Sequence, residues 1–247
     1  MSDLSIGLQL YTVRDKTKED FAGTVRRVAE LGYTGVEFAG YGNLTAQEMK
    51  ALLAETGLKA ASAHVPFQAL EQDFDAQLQY CLEIGLPFLV VPWLSEDWRN
   101  NDRIGQLGDR LNEFGRRSLE HGITLGYHNH AFEFEQRPDG TFYDLLLAAT
   151  DPALVKLELD TYWAAFVGID PAALIRQHAD RVRLVHLKDL SPARTFTEVG
   201  DGTLDIASYY QAAKEIGVPW AFVEQDAPTI PSLESAKRSL ENLRKII

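Results

Sequence analysis

One cysteine in 247 residues excludes any disulfide framework within the chain. Cys81 lies in QLQYCLEIG, a helical pattern, and reads as a small core residue without chemistry of its own. Lysine and arginine form no run or cluster, and the net charge of -12 makes nucleic acid or an anionic membrane an unsuitable partner. No apolar stretch approaches the length of a membrane span. The opening MSDLSIGLQLYTVRDK lacks a basic segment followed by an apolar export segment, so a cytoplasmic location is expected. Neither GxGxxG after the first strand nor GxxxxGK[ST] is present, which removes the common nucleotide-binding loops. The composition has no break either. With 45% hydrophobic and 24% charged residues it suits one globular domain over residues 1–247.

A weak repeat organises what is there. An amphipathic segment ends in Glu-x-Gly and an apolar run follows at once, at Glu30-Leu31-Gly32, Glu55-Thr56-Gly57, Glu83-Ile84-Gly85, Glu120-His121-Gly122 and Glu215-Ile216-Gly217. A glycine in that place closes a helix with a left-handed residue and drops the chain straight into a strand. The runs are nearly continuous in apolar residues, as parallel strands covered on both faces are. Eight strands alternate with helices: SIGLQLY, TGVEFAG, a run ending in SAHVPF, FLVVPW, ITLGYHNH, LVKLELD, VRLVHLKD and WAFVEQD. Thr45 and Glu48 form a capping box before the second helix, and a longer helix spans roughly Asp102 to Glu120.

Polar residues end these strands from first to last: Gln9, Glu37, His64, His128, Glu133, Asp160, His186 and Glu224. A closed barrel gathers all its strand ends at one mouth, whereas an open sheet uses one switch point, so the distribution predicts a single (β/α)8 TIM barrel. The densest stretch is GYHNHAFEFE, Gly126 to Glu135. Strand alternation sends His128 and His130 to one face, with Tyr127, Asn129, Ala131 and Glu133 on the other. The next three strands finish on Asp160, His186 and Glu224, and a histidine, two carboxylates and a fourth group suit a divalent metal.

These segments resemble the sugar phosphate isomerase/epimerase group of the xylose isomerase-like TIM barrels. The resemblance spans the chain and rests on GLQLYTVRD, GYTGVEFAG, SAHVPF, YHNHAFEFE, LDTYWAAFVGIDP, VHLKD, EVGDGTLD and FVEQD. It implies a metal site of Glu, Asp, His and Glu from successive late strands. Asp160, His186 and Glu224 match the last three positions. The first falls to Glu133, with His128 as the alternative, because His128-Asn129-His130 stands where many members carry Glu-Asn-His. Tyr162 and Trp163 follow Asp160 where some epimerases place a sugar-binding histidine.

A metal with open positions, Mn²⁺, Mg²⁺, Co²⁺ or Zn²⁺, can chelate a hydroxyl beside a carbonyl and make the α-proton removable. Glu133 and Glu224 are the expected bases, and His64, His128, His130, Trp163 and Lys188 the expected substrate contacts. Trp93, Phe67 and Phe132 are further candidates for an apolar wall. For His64 and Glu37, a structural role in a hydrogen-bonded interior is an equal reading, and Asp189 is an equal partner for Lys188. The expected activity is isomerisation or epimerisation of a sugar or keto-sugar through an enediolate, with a small-molecule sugar as partner and possible assembly into homo-oligomers. Elimination from a keto-sugar, keto-glycoside or inosose is the alternative for the same site. Phosphodiester hydrolysis lacks the basic loops it needs, and a non-catalytic sugar-binding role would leave some ligand positions eroded.

Overall fold

The computed structural model describes residues 4–247. Its parallel strands are β1 (Ser5–Gln9), β2 (Gly35–Phe38), β3 (Lys59–His64), β4 (Phe88–Val91), β5 (Thr124–His128), β6 (Val155–Asp160) and β7 (Val182–Leu187). A two-residue hairpin, β8 (Asp189–Leu190) with β9 (Phe196–Thr197), precedes β10 (Trp220–Val223). The eight long strands close in the order β1-β10-β7-β6-β5-β4-β3-β2, the barrel expected from the polar strand ends. All five glycines of the Glu-x-Gly repeat have positive φ, between 73° and 96°. The capping box at Thr45 and Glu48 is formed in full, and the helix expected from Asp102 runs over Ile104–Glu120. The first expected strand stops earlier than SIGLQLY: Gln9 takes the Tyr11 N–H on its side chain and turns the chain into a 3-10 segment, Leu10–Val13.

The interior is filled by size complementarity. Trp220 and Phe222 press towards β1 and β2, where Gly7 and Gly35 make room: a Cβ on either would lie 2.6 Å from the facing ring. Ala61, Val90, Leu184 and Phe222 form a small apolar cluster of their own, separate from the large core. The register then sets the polar neighbours, with Gln9 beside Glu37, His128 beside Glu158 and Asp160 beside His186. Two register shifts interrupt the barrel, between Val36 and Glu37 and between Leu157 and Glu158. Such irregularities re-aim a side chain, and here each immediately precedes a fully buried glutamate.

Candidate metal centre and cavity

The strands deliver two overlapping sets of ligand atoms, His128, Asp160, His186 and Glu224 in one and His64, His128, Glu158 and His186 in the other, each within 4.8 Å. His128 and His186 belong to both because each ring presents one nitrogen to either side. His128 Nε2 lies 3.6 Å from Asp160 and its Nδ1 3.1 Å from Glu158. His186 Nδ1 lies 2.7 Å from Glu224, and its Nε2 is 2.7 Å from Glu37 and 3.2 Å from Glu158. A neutral imidazole ligates through one nitrogen and keeps a proton on the other, so an ion in one set makes the other set its hydrogen-bond acceptor. His128 and Glu224 line the cavity, whereas Glu37 and Glu158 are 0% exposed beneath them. The outer set reaches the cavity through His128 and Glu224, and the inner set through His64 and His128.

Local structure fixes Asp160 closely. Its Oδ1 caps the short helix Thr161–Phe166 by accepting the Trp163 N–H, and Asn129 Oδ1 accepts the Asp160 N–H at 3.0 Å. Lys188, 2% exposed, stands among Asp160, Glu224 and Asp226 at 2.9, 2.7 and 3.0 Å. Asp189 is not its partner, because that carboxylate accepts backbone N–H groups of Leu190, Gly200, Gly202 and Leu204 and ties down the following loop. His64 joins Glu158 at 2.6 Å and Glu37 at 3.1 Å. The His130 ring stands between Trp93 and Trp163, centroids 4.8 and 5.8 Å away. His64, His128, His130, Trp163, Lys188 and Glu224 all line one cavity of about 850 Å³. Phe67, in contrast, is core, packed on Trp98 and Phe114.

Glu133 stands apart from both sets. It is 0% exposed, accepts the Tyr127 hydroxyl at 2.8 Å and the His130 N–H at 2.7 Å, and joins neither ligand set. Burial raises its carboxyl to about 8. Glu133 lies beyond the end of β5, in the 3-10 turn Phe132–Phe134, and is bonded to Tyr127, the neighbour of His128 on the strand. His128, the alternative to Glu133, lies within both ligand sets.

The profile of the xylose isomerase-like TIM barrels matches residues 25–246. The chain belongs to this family. A curated relative, inosose dehydratase of Mesomycoplasma hyopneumoniae strain J, is 29% identical over 273 residues, covering 92% of this chain and 89% of the relative. A sugar phosphate isomerase/epimerase from Parabacteroides distasonis superposes with a TM-score of 0.86 at 25% identity, covering 98% of each chain. The IOLI protein, solved with a zinc atom, shares the fold with a TM-score of 0.76 at 15% identity, covering 98% of each chain.

Within this xylose isomerase-like barrel the electrostatics follow from burial and crowded charge. Burial opposes the charge on Lys188, but Asp160, Glu224 and Asp226 raise its pKa well above the ordinary value. Burial likewise opposes a proton on His64, and the Glu37 and Glu158 carboxylates overcome it, to about 10. His128 is driven down by burial and by His186, which keeps the ring neutral, and burial lowers His130 to about 3. Burial and then the Glu224 charge raise Asp226 to about 6. The outer donors, two imidazoles and two carboxylates, fit a divalent ion, and Asp160 Oδ2 is buried with no hydrogen bond, with the Lys188 ammonium at 2.9 Å and His128 Nε2 at 3.6 Å beside it. Glu158 and Asp226 escaped the sequence reading. The signal for Glu158 was in KLELD, where it shares a strand face with Asp160.

Proposed function

We propose that the protein is a divalent-metal-dependent isomerase or epimerase of a sugar or keto-sugar, acting through an enediolate. The convergence of His128, Asp160, His186 and Glu224, of which His128 and Glu224 line the cavity, carries this reading. A divalent ion held by these four supplies Lewis-acid polarisation of a substrate carbonyl and its neighbouring hydroxyl. Zinc is supported by the IOLI structure, and Mn²⁺, Mg²⁺ and Co²⁺ suit the same nitrogen and oxygen donors.

The side chains supply the rest. Glu224 lines the cavity and takes the proton from the carbon beside the carbonyl. Lys188, charged and buried, donates N–H to the oxygen on which negative charge develops. His64 and His130 orient hydroxyls, and the Trp163 ring covers the carbon face. Asp226, held by Lys188 and raised to about 6, is placed to return a proton. Return to the neighbouring carbon isomerises the sugar; return to the opposite face of the original carbon epimerises it.

The relative named inosose dehydratase favours a second reading, dehydration of an inosose or keto-sugar. There the C–H bond breaks to Glu224, the bond to the β-hydroxyl breaks, and hydroxide leaves as water with a proton from Asp226. The test is to incubate the metal-loaded protein with keto-hexoses and an inosose in D₂O and follow products by NMR and mass spectrometry. A product isomeric with the substrate and carrying deuterium in place of one carbon-bound hydrogen supports isomerisation or epimerisation, and loss of one water supports dehydration. Absence of exchange with every keto-substrate refutes both.

A further inference from the structure

We infer that the cavity contains a second subsite for an uncharged aromatic aglycone, on the side built by the segments after β2, β3 and β4, so that the substrate is an aryl keto-glycoside. This rests on the keto-sugar reading above and deepens it.

Size is the first observation. The cavity holds about 850 Å³. A six-carbon keto-sugar occupies roughly 200 Å³ at ordinary packing density, so one ring against the metal centre leaves most of the space free.

Asymmetry is the second. The ionisable groups Asp226, Glu224, Lys188, His130 and His128 enter from the segments at β5, β7 and β10. The segments after β2, β3 and β4 contribute Tyr41, Val65, Pro66, Ala69, Pro92 and Trp93, the last beside the His130 ring, and the ionisable lining residue from these strands is His64 at the end of β3. The polar groups on that side are the Gln77 amide and the Tyr41 hydroxyl, and the hydroxyl already lies 3.7 Å from Cys81 Sγ. A second sugar ring placed there would bury several hydroxyls without partners, whereas an aromatic ring needs none.

The third observation is that Trp93 is held as a platform. It is 47% exposed, yet its ring carries the Arg99 guanidinium at 3.8 Å and the edge of His130 at 4.8 Å. Arg99 is itself fixed, its Nε donating to the Leu94 carbonyl at 2.8 Å and its guanidinium lying 4.1 Å from the Phe132 ring. A large aromatic surface is thus fixed beside the empty half of the cavity before any ligand arrives, which lowers the ordering cost of stacking.

The experiment compares kcat/KM for methyl, phenyl and glucosyl glycosides of one keto-sugar in the metal-loaded protein, the Trp93→Ala variant and the Ala69→Trp variant, which fills the subsite. The phenyl glycoside is expected to exceed the methyl by about 10-fold or more, a stacking and burial effect. Trp93→Ala and Ala69→Trp each reduce that preference to within about threefold. Equal kcat/KM for phenyl and methyl, a glucosyl glycoside preferred over phenyl, or a phenyl preference that survives both variants overturns the subsite. Dissociation constants for the unreactive phenyl and methyl glucosides, measured by calorimetry on the same proteins, give the same comparison without turnover. A phenyl preference in binding that Ala69→Trp removes, in a protein inert to every keto-sugar, upholds the subsite and overturns the enzymatic reading alone.

Discussion

Replacing Glu158 with Gln perturbs the metal centre without touching the four outer ligands. One carboxylate oxygen, Oε2, stands 2.6 Å from His64 Nε2, 3.1 Å from His128 Nδ1 and 3.2 Å from His186 Nε2. When the outer set holds an ion, this oxygen accepts the proton left on His128 Nδ1 and so fixes that tautomer, while its charge faces the far nitrogen of His186, whose nearer acceptor is Glu37 at 2.7 Å. The Gln oxygen still accepts, but the charge is gone, and each charge-assisted bond falls to a neutral one. Losing such a partner typically weakens metal binding about 10- to 100-fold, or roughly 1.4 to 2.7 kcal/mol. Competition titration with a chromophoric chelator reads the affinity, and circular dichroism checks the fold. Asp160→Asn and Glu224→Gln, which remove direct ligands, are expected to lose far more. Wild-type affinity in Glu158→Gln refutes the tautomer argument. Abolished binding in Glu158→Gln with retention in Asp160→Asn would place the ion in the inner set instead.

Three other outcomes follow from particular contacts. The Glu133 carboxyl ordinarily titrates near 4.5 and burial raises it to about 8, so the folded state binds the extra proton between these values. Its stabilising contribution is complete below about pH 4.5 and is lost as pH rises through 8. Glu133→Gln, neutral throughout, should flatten this part of the stability profile in denaturant titrations, and an unchanged slope contradicts it. Gly7→Ala puts a Cβ 2.6 Å from the Phe222 ring and should cost about 2 kcal/mol, a fall in Tm of roughly 4–8 °C by calorimetry. Lys188→Met leaves Asp160, Glu224 and Asp226 without their buried cation, a loss of about 3–5 kcal/mol in the metal-free protein. Added metal should then raise the Tm of this variant by more than that of wild type, and equal shifts in a thermal-shift assay would contradict the arrangement.

The barrel was legible because its signals are local. A Glu-x-Gly hand-off needs only a left-handed glycine at the helix end, and all five glycines adopt it. The polar strand ends also marked the mouth, since parallel strands in a barrel end on one side. The place of Glu133 was not legible, because it lies beyond the strand, within the 3-10 turn Phe132–Phe134, where the Tyr127 hydroxyl and the His130 N–H hold it. Glu158 was missed for a different reason. It lies two residues before the strand end at Asp160, and its place among the histidines follows a register shift against the neighbouring strand. The pairing of Lys188 with three carboxylates likewise required knowing that β6, β7 and β10 are adjacent.

The most direct test of the account is the metal content of the purified protein by elemental analysis, beside His128→Ala, His186→Ala, Glu224→Ala and Glu133→Ala. Near-stoichiometric divalent metal in wild type and Glu133→Ala, with loss in the other three, is the predicted result. Retention in His128→Ala with loss in Glu133→Ala, or no binding by wild type when the ion is supplied, would contradict it.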